Sequence, residues 1–226
     1  TIFTKDQIFL KTLGNTAVYV ILSVVFQTVL GFWLAWLLTR KFKGRGVIRA
    51  LALVPWAVAG LMVGIIWNLM LGQTYGVIND LLRRAGIIEM NISWFSNGSS
   101  AMFAAVIANI WRGIPFFTIS YMSALSGISD DLYESAKIDG ANSAVTLFRI
   151  TLLRAIWTFN AVDLIVSLTD GGPNRGTTTL ALYIMNTFTG SYDYGYASAL
   201  AVISTLIMMV VAFVYIRFGK MGQTDN

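Results

Sequence analysis

The sequence predicts an all-α membrane protein, a polytopic bundle of transmembrane helices. Three observations carry that prediction. Only 12% of the 226 residues are charged and 56% are hydrophobic, with a mean hydropathy of +0.68, whereas soluble domains carry about 25% charged residues. Several stretches long enough to cross a bilayer hold no charge or a single one. The basic residues sit in short loops beside apolar runs, the positive-inside pattern of a membrane protein, so the net charge of +5 does not point to nucleic acid. Cysteine and histidine are both absent, which excludes disulfides, thiolate metal sites and the commonest general base. No signal peptide is visible, and the chain begins with Thr1 rather than Met, so further residues are expected upstream.

Five spans follow in order. Thr1–Leu13 is mixed and is expected at a membrane surface. Thr12–Thr39 carries no charge, and a span needs about 20 apolar residues, so the first span is placed at about Gly14–Leu38. Arg40, Lys41, Lys43, Arg45 and Arg49 then form the strongest basic cluster and mark the cytoplasmic side. Ala50–Leu71 is the second span, with Pro55 expected to kink it or to sit where its helix begins. Gly72–Ser100 is too polar to span. It holds a surface helix at Val77–Ala85, an aromatic anchor at Trp94 and Phe95, and a turn signal at Asn97-Gly98. Ala101–Leu125 is the third span, interrupted by Arg112. Ala155–Leu168 is apolar but only 14 residues long and contains Asp163, short of a crossing. Helix is therefore expected to be missing between Leu153 and Arg154. Thr169–Asp193 is read as an outer loop, and Tyr194–Ile216 as the last span, ended by Arg217 and Lys220. Lys137, Arg149 and Arg154 then fall on the inside.

The candidate binding residues are those polar groups that lie within spans, where they are costly and usually functional. Arg112 lies about 17 Å into its span at 1.5 Å per residue, near the midplane. Pro115 cannot donate to the carbonyl of Trp111, which frees a polar group there. Asn109 and Trp111 are close by in sequence. Trp157, Asn160 and Asp163 recur every three residues, which puts them on one helix face. Amide, carboxylate and indole groups around one cavity suit a sugar, whose hydroxyls need hydrogen bonds and whose ring faces need a flat aromatic surface. Asn109, Trp111, Asn160 and Asp163 are therefore expected to face a midplane cavity between subunits. Structural roles stand beside this reading: Arg112 pairing with Asp163 or with a partner subunit, Trp111 and Trp157 as packing, and Gln27 as a helix–helix hydrogen bond.

The polar stretch Leu132–Leu152 lies on the basic side, between the third and fourth spans. Ser129 can cap a helix whose first turn holds Asp130 and Asp131. Gly140 can take the left-handed conformation that ends it. Asn142 can cap a second helix toward Arg149. Glu134, Ser135, Ala136 and Gly140 stand in order, with Ile150 ten residues after the glycine and Leu152 two further on. This resembles the cytoplasmic coupling loop of binding-protein-dependent ABC importers, the EAA loop. Ser135 stands where that pattern has its middle alanine, and Leu153 where it has proline. The wording Tyr133–Ala141, with Asp139, is similar to the carbohydrate-importer branch of the maltose-transporter permease type. So are Asn15–Val20 and the run from Asp170 through Thr177–Leu180 to Tyr196–Ala199.

The resemblance implies that residues 1–226 form one transmembrane domain of the ABC type I importer permease fold, with the coupling loop at about 126–153. It implies that Glu134, Ser135, Ala136, Asp139, Gly140, Ala141, Ile150 and Leu152 meet an ATPase. It further implies two cytoplasmic ATPase subunits, a second permease, an extracytoplasmic solute-binding protein and a cytoplasmic (inner) membrane of a prokaryote, with lipid around the bundle. Asn109, Trp111, Arg112, Trp157, Asn160 and Asp163 are the substrate-binding candidates. The chain has no phosphate-binding loop and no catalytic or metal-ligating constellation, so it is expected to be neither an enzyme nor a cofactor protein. The expected cargo is a carbohydrate. The alternatives are a non-sugar solute such as glycerol phosphate, a secondary transporter working alone, and a membrane anchor.

Overall fold

The computed structural model describes residues 2, 6–40, 43–126 and 143–220, with backbone alone for residues 124–126, 143–150 and 218–220. Its described residues are helical throughout their ordered elements. The helices are α1 (Gln7–Thr39), α2 (Arg45–Ala57), α3 (Gly60–Met70), α4 (Val77–Arg84), α5 (Gly98–Ser126), α6 (Ser143–Asn160), α7 (Asp163–Thr169), α8 (Leu180–Thr189) and α9 (Tyr194–Lys220). Three of them, α1, α5 and α9, are long and apolar enough to cross a bilayer; counting each bent pair, α2 with α3 and α6 with α7, as one span gives five.

The first helix is longer than the expected span because its start is capped. Asp6 accepts hydrogen bonds from the backbone N–H of Ile8 at 2.8 Å and of Phe9 at 3.0 Å, satisfying donors that a helix start leaves open. Residues 7–13, expected at the surface, are therefore the first turns of α1, with Phe9 and Thr12 fully buried. At the other end, Arg49 donates to the carbonyl of Leu38 at 2.9 Å and Arg45 to that of Thr39 at 3.4 Å. Part of the basic cluster thus also satisfies the open carbonyls at the carboxyl end of α1.

The second span is not one straight helix. α2 and α3 meet at 98°, with Val58 and Ala59 extended between them. Pro55 lies inside α2, three residues before the break. The close approach of α3 to its neighbours depends on glycine. A Cβ at Gly64 would collide with Ser167 of α7, and one at Gly60 with the Asp163 carboxylate. α3 and α7 accordingly form one of the two most extensive helix contacts; the other joins α1 to α5.

The apolar run 155–168 is part of a longer bent pair of helices. α6 passes through Leu153 and Arg154 as one unbroken helix, breaks after Asn160, and continues as α7 at 49°. The run thus gains length from the turns that precede it. Glu134, Ser135, Ala136, Asp139, Gly140 and Ala141 lie outside the described residues. Ile150 and Leu152 are helical positions of α6.

Two outer segments depart from or sharpen the sequence reading. Thr169–Asp193, read as loop, contains α8, whose start is capped by Thr179 and whose Leu180 and Leu182 are fully buried. The surface helix forms at Val77–Arg84, close to its expected bounds. Its Asn79 is buried and holds the loop behind it: its amide donates to the carbonyls of Gly72 and Ile92, and its carbonyl accepts from Ile92 N–H and Trp94 Nε1.

Candidate functional site: a polar layer at mid-depth and a clasp at the outer face

The polar layer is built where α1, α5, α6 and α7 meet. Arg112 is the central residue of α5, which places its charge midway along the most deeply packed of the three long spans. Its guanidinium pairs with Asp163 at 3.2 Å. Asp163 is the first residue of α7, where a carboxylate suits the positive end of a helix. Both side chains remain partly exposed, 25% and 38%, so the pair borders an opening rather than lying sealed in the core. Gly60 sits against it, and only a residue without a side chain fits there: a Cβ would overlap the carboxylate and lie 2.5 Å from the arginine Nη1.

A second cation lies deeper. Arg154 is 9% exposed. Its Nε donates to the Gln27 carbonyl oxygen at 2.9 Å, while the Gln27 amide donates to the backbone carbonyl of Asn109 at 2.7 Å. The guanidinium lies 5.7 Å from the centre of the Phe116 ring, within cation–π range. No carboxylate is within ion-pair distance of it among the described residues. The expectation that Arg154 marks the inner surface is thus corrected: the helix carries it inward, under Phe116. Gln27 is the helix–helix bridge expected of it, and Gly113 makes room, since a Cβ there would strike the Gln27 amide.

The other candidates divide between core and surface. Asn109 is 3% exposed and its side-chain Nδ2 has no hydrogen-bond partner among the described residues; it is buried within this chain's own packing. Trp111 packs edge-on against Trp67 at 6.1 Å. Trp157 is 48% exposed and rests on Phe116 at 5.3 Å. Asn160 is exposed and donates to the carbonyl of Ile156 at 2.9 Å. Trp157, Asn160 and Asp163 do not share one helix face, because the helix breaks between Asn160 and Asp163. The break turns Asp163 toward Arg112 and leaves Trp157 and Asn160 on the outer surface of α6.

The outer clasp joins two stretches that the sequence flagged separately. Asn15 donates to the carbonyls of Arg175 and Thr178, each at 3.0 Å. Thr16 accepts from Leu180 N–H at 2.8 Å, and Lys11 donates to the Asn174 carbonyl at 2.7 Å. Asp6, beyond capping α1, accepts from the hydroxyls of Tyr183 and Tyr196. Partial burial raises the Asp6 carboxyl pKa, but hydrogen bonds from Tyr196, Phe9 N–H, Tyr183 and Ile8 N–H outweigh it and hold the group below its usual value. Inside the turn Gly171 has φ +80°, and Thr177 and Thr178 donate back to the carbonyls of Gly172 and Gly171. A cleft of 470 Å³ opens beside this turn, lined by Asn68, Phe95, Val166–Asp170, Gly172 and Pro173. It lies at the outer end of the α3–α7 pair whose mid-depth end carries Asp163. Of these contacts the sequence signalled only the turn and the Asn15 stretch; Asp6 and Arg154 carried no pattern that set them apart from ordinary surface charges.

The family described as "Binding-protein-dependent transport system inner membrane component" matches residues 27–221. The chain is 36% identical to the trehalose/maltose transport system permease protein MalF of Thermococcus litoralis over 217 residues, covering 91% of this chain and 72% of the relative. It is 33% identical to the sulfoquinovosyl glycerol transport system permease protein SmoG of Agrobacterium fabrum, covering 96% and 74%. A solved bacterial ABC transporter involved in the import of the acidic polysaccharide alginate contains a chain of the same fold. That chain superimposes with a TM-score of 0.78 at 20% identity, over 97% of this chain and 81% of its own length.

Proposed function

The chain belongs to the binding-protein-dependent transport system inner membrane components, and from that premise we propose that it carries a carbohydrate, with the Arg112–Asp163 pair and Trp157 as separate contacts along its path. It is a multi-pass inner-membrane permease subunit of an ABC importer; ATP hydrolysis belongs to a separate subunit. The observation that carries the carbohydrate reading is the likeness, over more than nine-tenths of the chain, to permeases named for trehalose, maltose and sulfoquinovosyl glycerol. The site supports it chemically. The Arg112–Asp163 pair offers fixed donors and acceptors at mid-depth, and the half-exposed Trp157 ring offers a flat apolar surface on α6.

In this reading the solute-binding protein delivers sugar at the outer face. The two permeases rock about the midplane, and the segment from Glu134 to Ala141 transmits closure of the ATPase pair. Arg112, Asp163, Trp157 and Asn160 are the proposed contacts; Trp111, packed on Trp67, and buried Asn109 have packing roles. The test is uptake by the reconstituted importer of labelled trehalose, maltose, an acidic oligosaccharide and glycerol phosphate. Trp157→Ala and Asn160→Ala should each raise the half-saturating sugar concentration. Transport of glycerol phosphate but of no sugar would overturn the reading.

A further inference from the structure

The basic-rich side of the bundle carries a groove that the transport reading does not use. It occupies 290 Å³ between the carboxyl end of α1, α2 and the carboxyl end of α5. Leu38, Ala52, Leu53, Ile119 and Met122 line it with apolar side chains, Thr118 and Ser123 contribute the remaining wall, and Arg49 stands at its rim. α2 itself buries none of its residues, and its Val47, Leu51 and Val54 are at least half exposed.

The rim is unbalanced electrically. Arg49 spends one nitrogen on the Leu38 carbonyl, but its Nε is buried and has no hydrogen-bond partner among the described residues. Arg40, Lys43 and Arg45 lie within a few residues of it, Arg40 stacked on Trp36 at 3.9 Å. No Asp or Glu occurs between Asp6 and Asp80 in the sequence. Among the described residues the cluster holds four cations, and none of them is within ion-pair distance of a carboxylate. An apolar helix laid in the groove would fill its walls yet offer nothing to the cations at its rim, whose charge then sits beside a low-dielectric surface without a counter-ion. A molecule with an apolar tail and an anionic head meets both demands. Basic pockets between helices on the cytoplasmic side suit such headgroups.

We propose that this groove is a binding site for an anionic phospholipid of the cytoplasmic leaflet, with an acyl chain against Leu38, Leu53, Ile119 and Met122 and the phosphate at Arg49. The site holds the junction of α1 and α2, the segment that leads into the 98° bend and on to Gly60 beside the Arg112–Asp163 pair. Lipid composition would thereby act on the element that borders the transport path.

The test uses the whole importer, exchanged into bilayer discs of phosphatidylcholine with phosphatidylglycerol, then released and weighed intact by native mass spectrometry. Phosphatidylglycerol should stay bound in preference to phosphatidylcholine, and excess inorganic phosphate should not remove it. Arg49→Gln should lower its retention about fivefold, the share that one basic side chain contributes at an anionic surface. Arg49→Lys should retain an intermediate amount. Ala52→Phe fills the groove while leaving the charge, and should lower retention of the same lipid, which a purely structural role for Arg49 would not. Equal retention of both lipids would overturn the proposal, as would release by phosphate alone. A disulfide between Leu53→Cys and a cysteine on the second permease, formed at full yield, would show the groove covered by protein and would also overturn it.

Discussion

Substituting Gly60 by alanine separates steric control of the mid-depth ion pair from ordinary helix chemistry. A methyl group at this position would overlap the Asp163 carboxylate and press on the Arg112 guanidinium, so the pair must open or α3 must withdraw from α7. Overpacking of this kind costs about 1–3 kcal/mol. Opening the pair adds at most about 1 kcal/mol, because both side chains are partly exposed and water screens them. Alanine in a helix returns up to about 1 kcal/mol relative to glycine, less in a first turn. The net expectation for Gly60→Ala is a loss of about 1–2 kcal/mol, near 2–8 °C in melting midpoint at about 2–4 °C per kcal/mol.

The same reasoning fixes the direction of the change in a second background. In Asp163→Ala the overlapping carboxylate is gone and only the flexible end of Arg112, 2.5 Å from the added Cβ, has to move aside, so adding Gly60→Ala should cost clearly less than it does in the wild type. The assay is a thermal melt of the purified importer, wild type and the three variants, read as a double-mutant cycle. Sugar uptake is measured in parallel and should fall in Gly60→Ala. An equal loss of melting midpoint from Gly60→Ala in both backgrounds would refute the argument, since the cost would then not arise at Asp163.

Further outcomes follow from the same structure. Gln27→Leu removes the side-chain hydrogen-bond acceptor of buried Arg154 and should destabilise by about 1.5–3 kcal/mol, the range for bonds to charged groups; adding Arg154→Met should recover most of that in the same melt, because an apolar pair replaces a stranded cation. Asp6→Ala should cost about 1 kcal/mol as a lost helix cap. Because the folded Asp6 carboxyl sits below its ordinary value, its contribution is fully present above the unfolded carboxylate range near 4 and disappears as pH falls through the lower folded value, so melts of wild type and Asp6→Ala should converge in acid. Gly140→Val and Glu134→Lys should abolish uptake and ATPase stimulation while membrane insertion and abundance persist; wild-type stoichiometry, stimulated ATPase and uptake in both would mean that the stretch is a plain connector.

What the sequence determined by itself is what depends on local composition and period. A 28-residue uncharged run can only lower its free energy in lipid as a helix, because every backbone polar group must be satisfied within the segment. α1, α5 and α9 were legible for that reason, and the basic clusters set their direction. The ordered residues Glu134, Gly140, Ile150 and Leu152 carried the family because that pattern is contiguous in the chain. The tertiary structure decided whatever depends on how one helix meets another. Arg154 looked like an inner-surface charge until α6 carried it under Phe116 to Gln27, 127 residues away in sequence. Asp163 looked like the third member of a face until a break of two residues turned it to Arg112. Asn15 and the Arg175–Leu180 segment looked like separate features until the bundle closed them on each other. Period and composition report which face of a helix is apolar; they hold no information about the bend between two helices, and the bends here choose the partners of the buried charges.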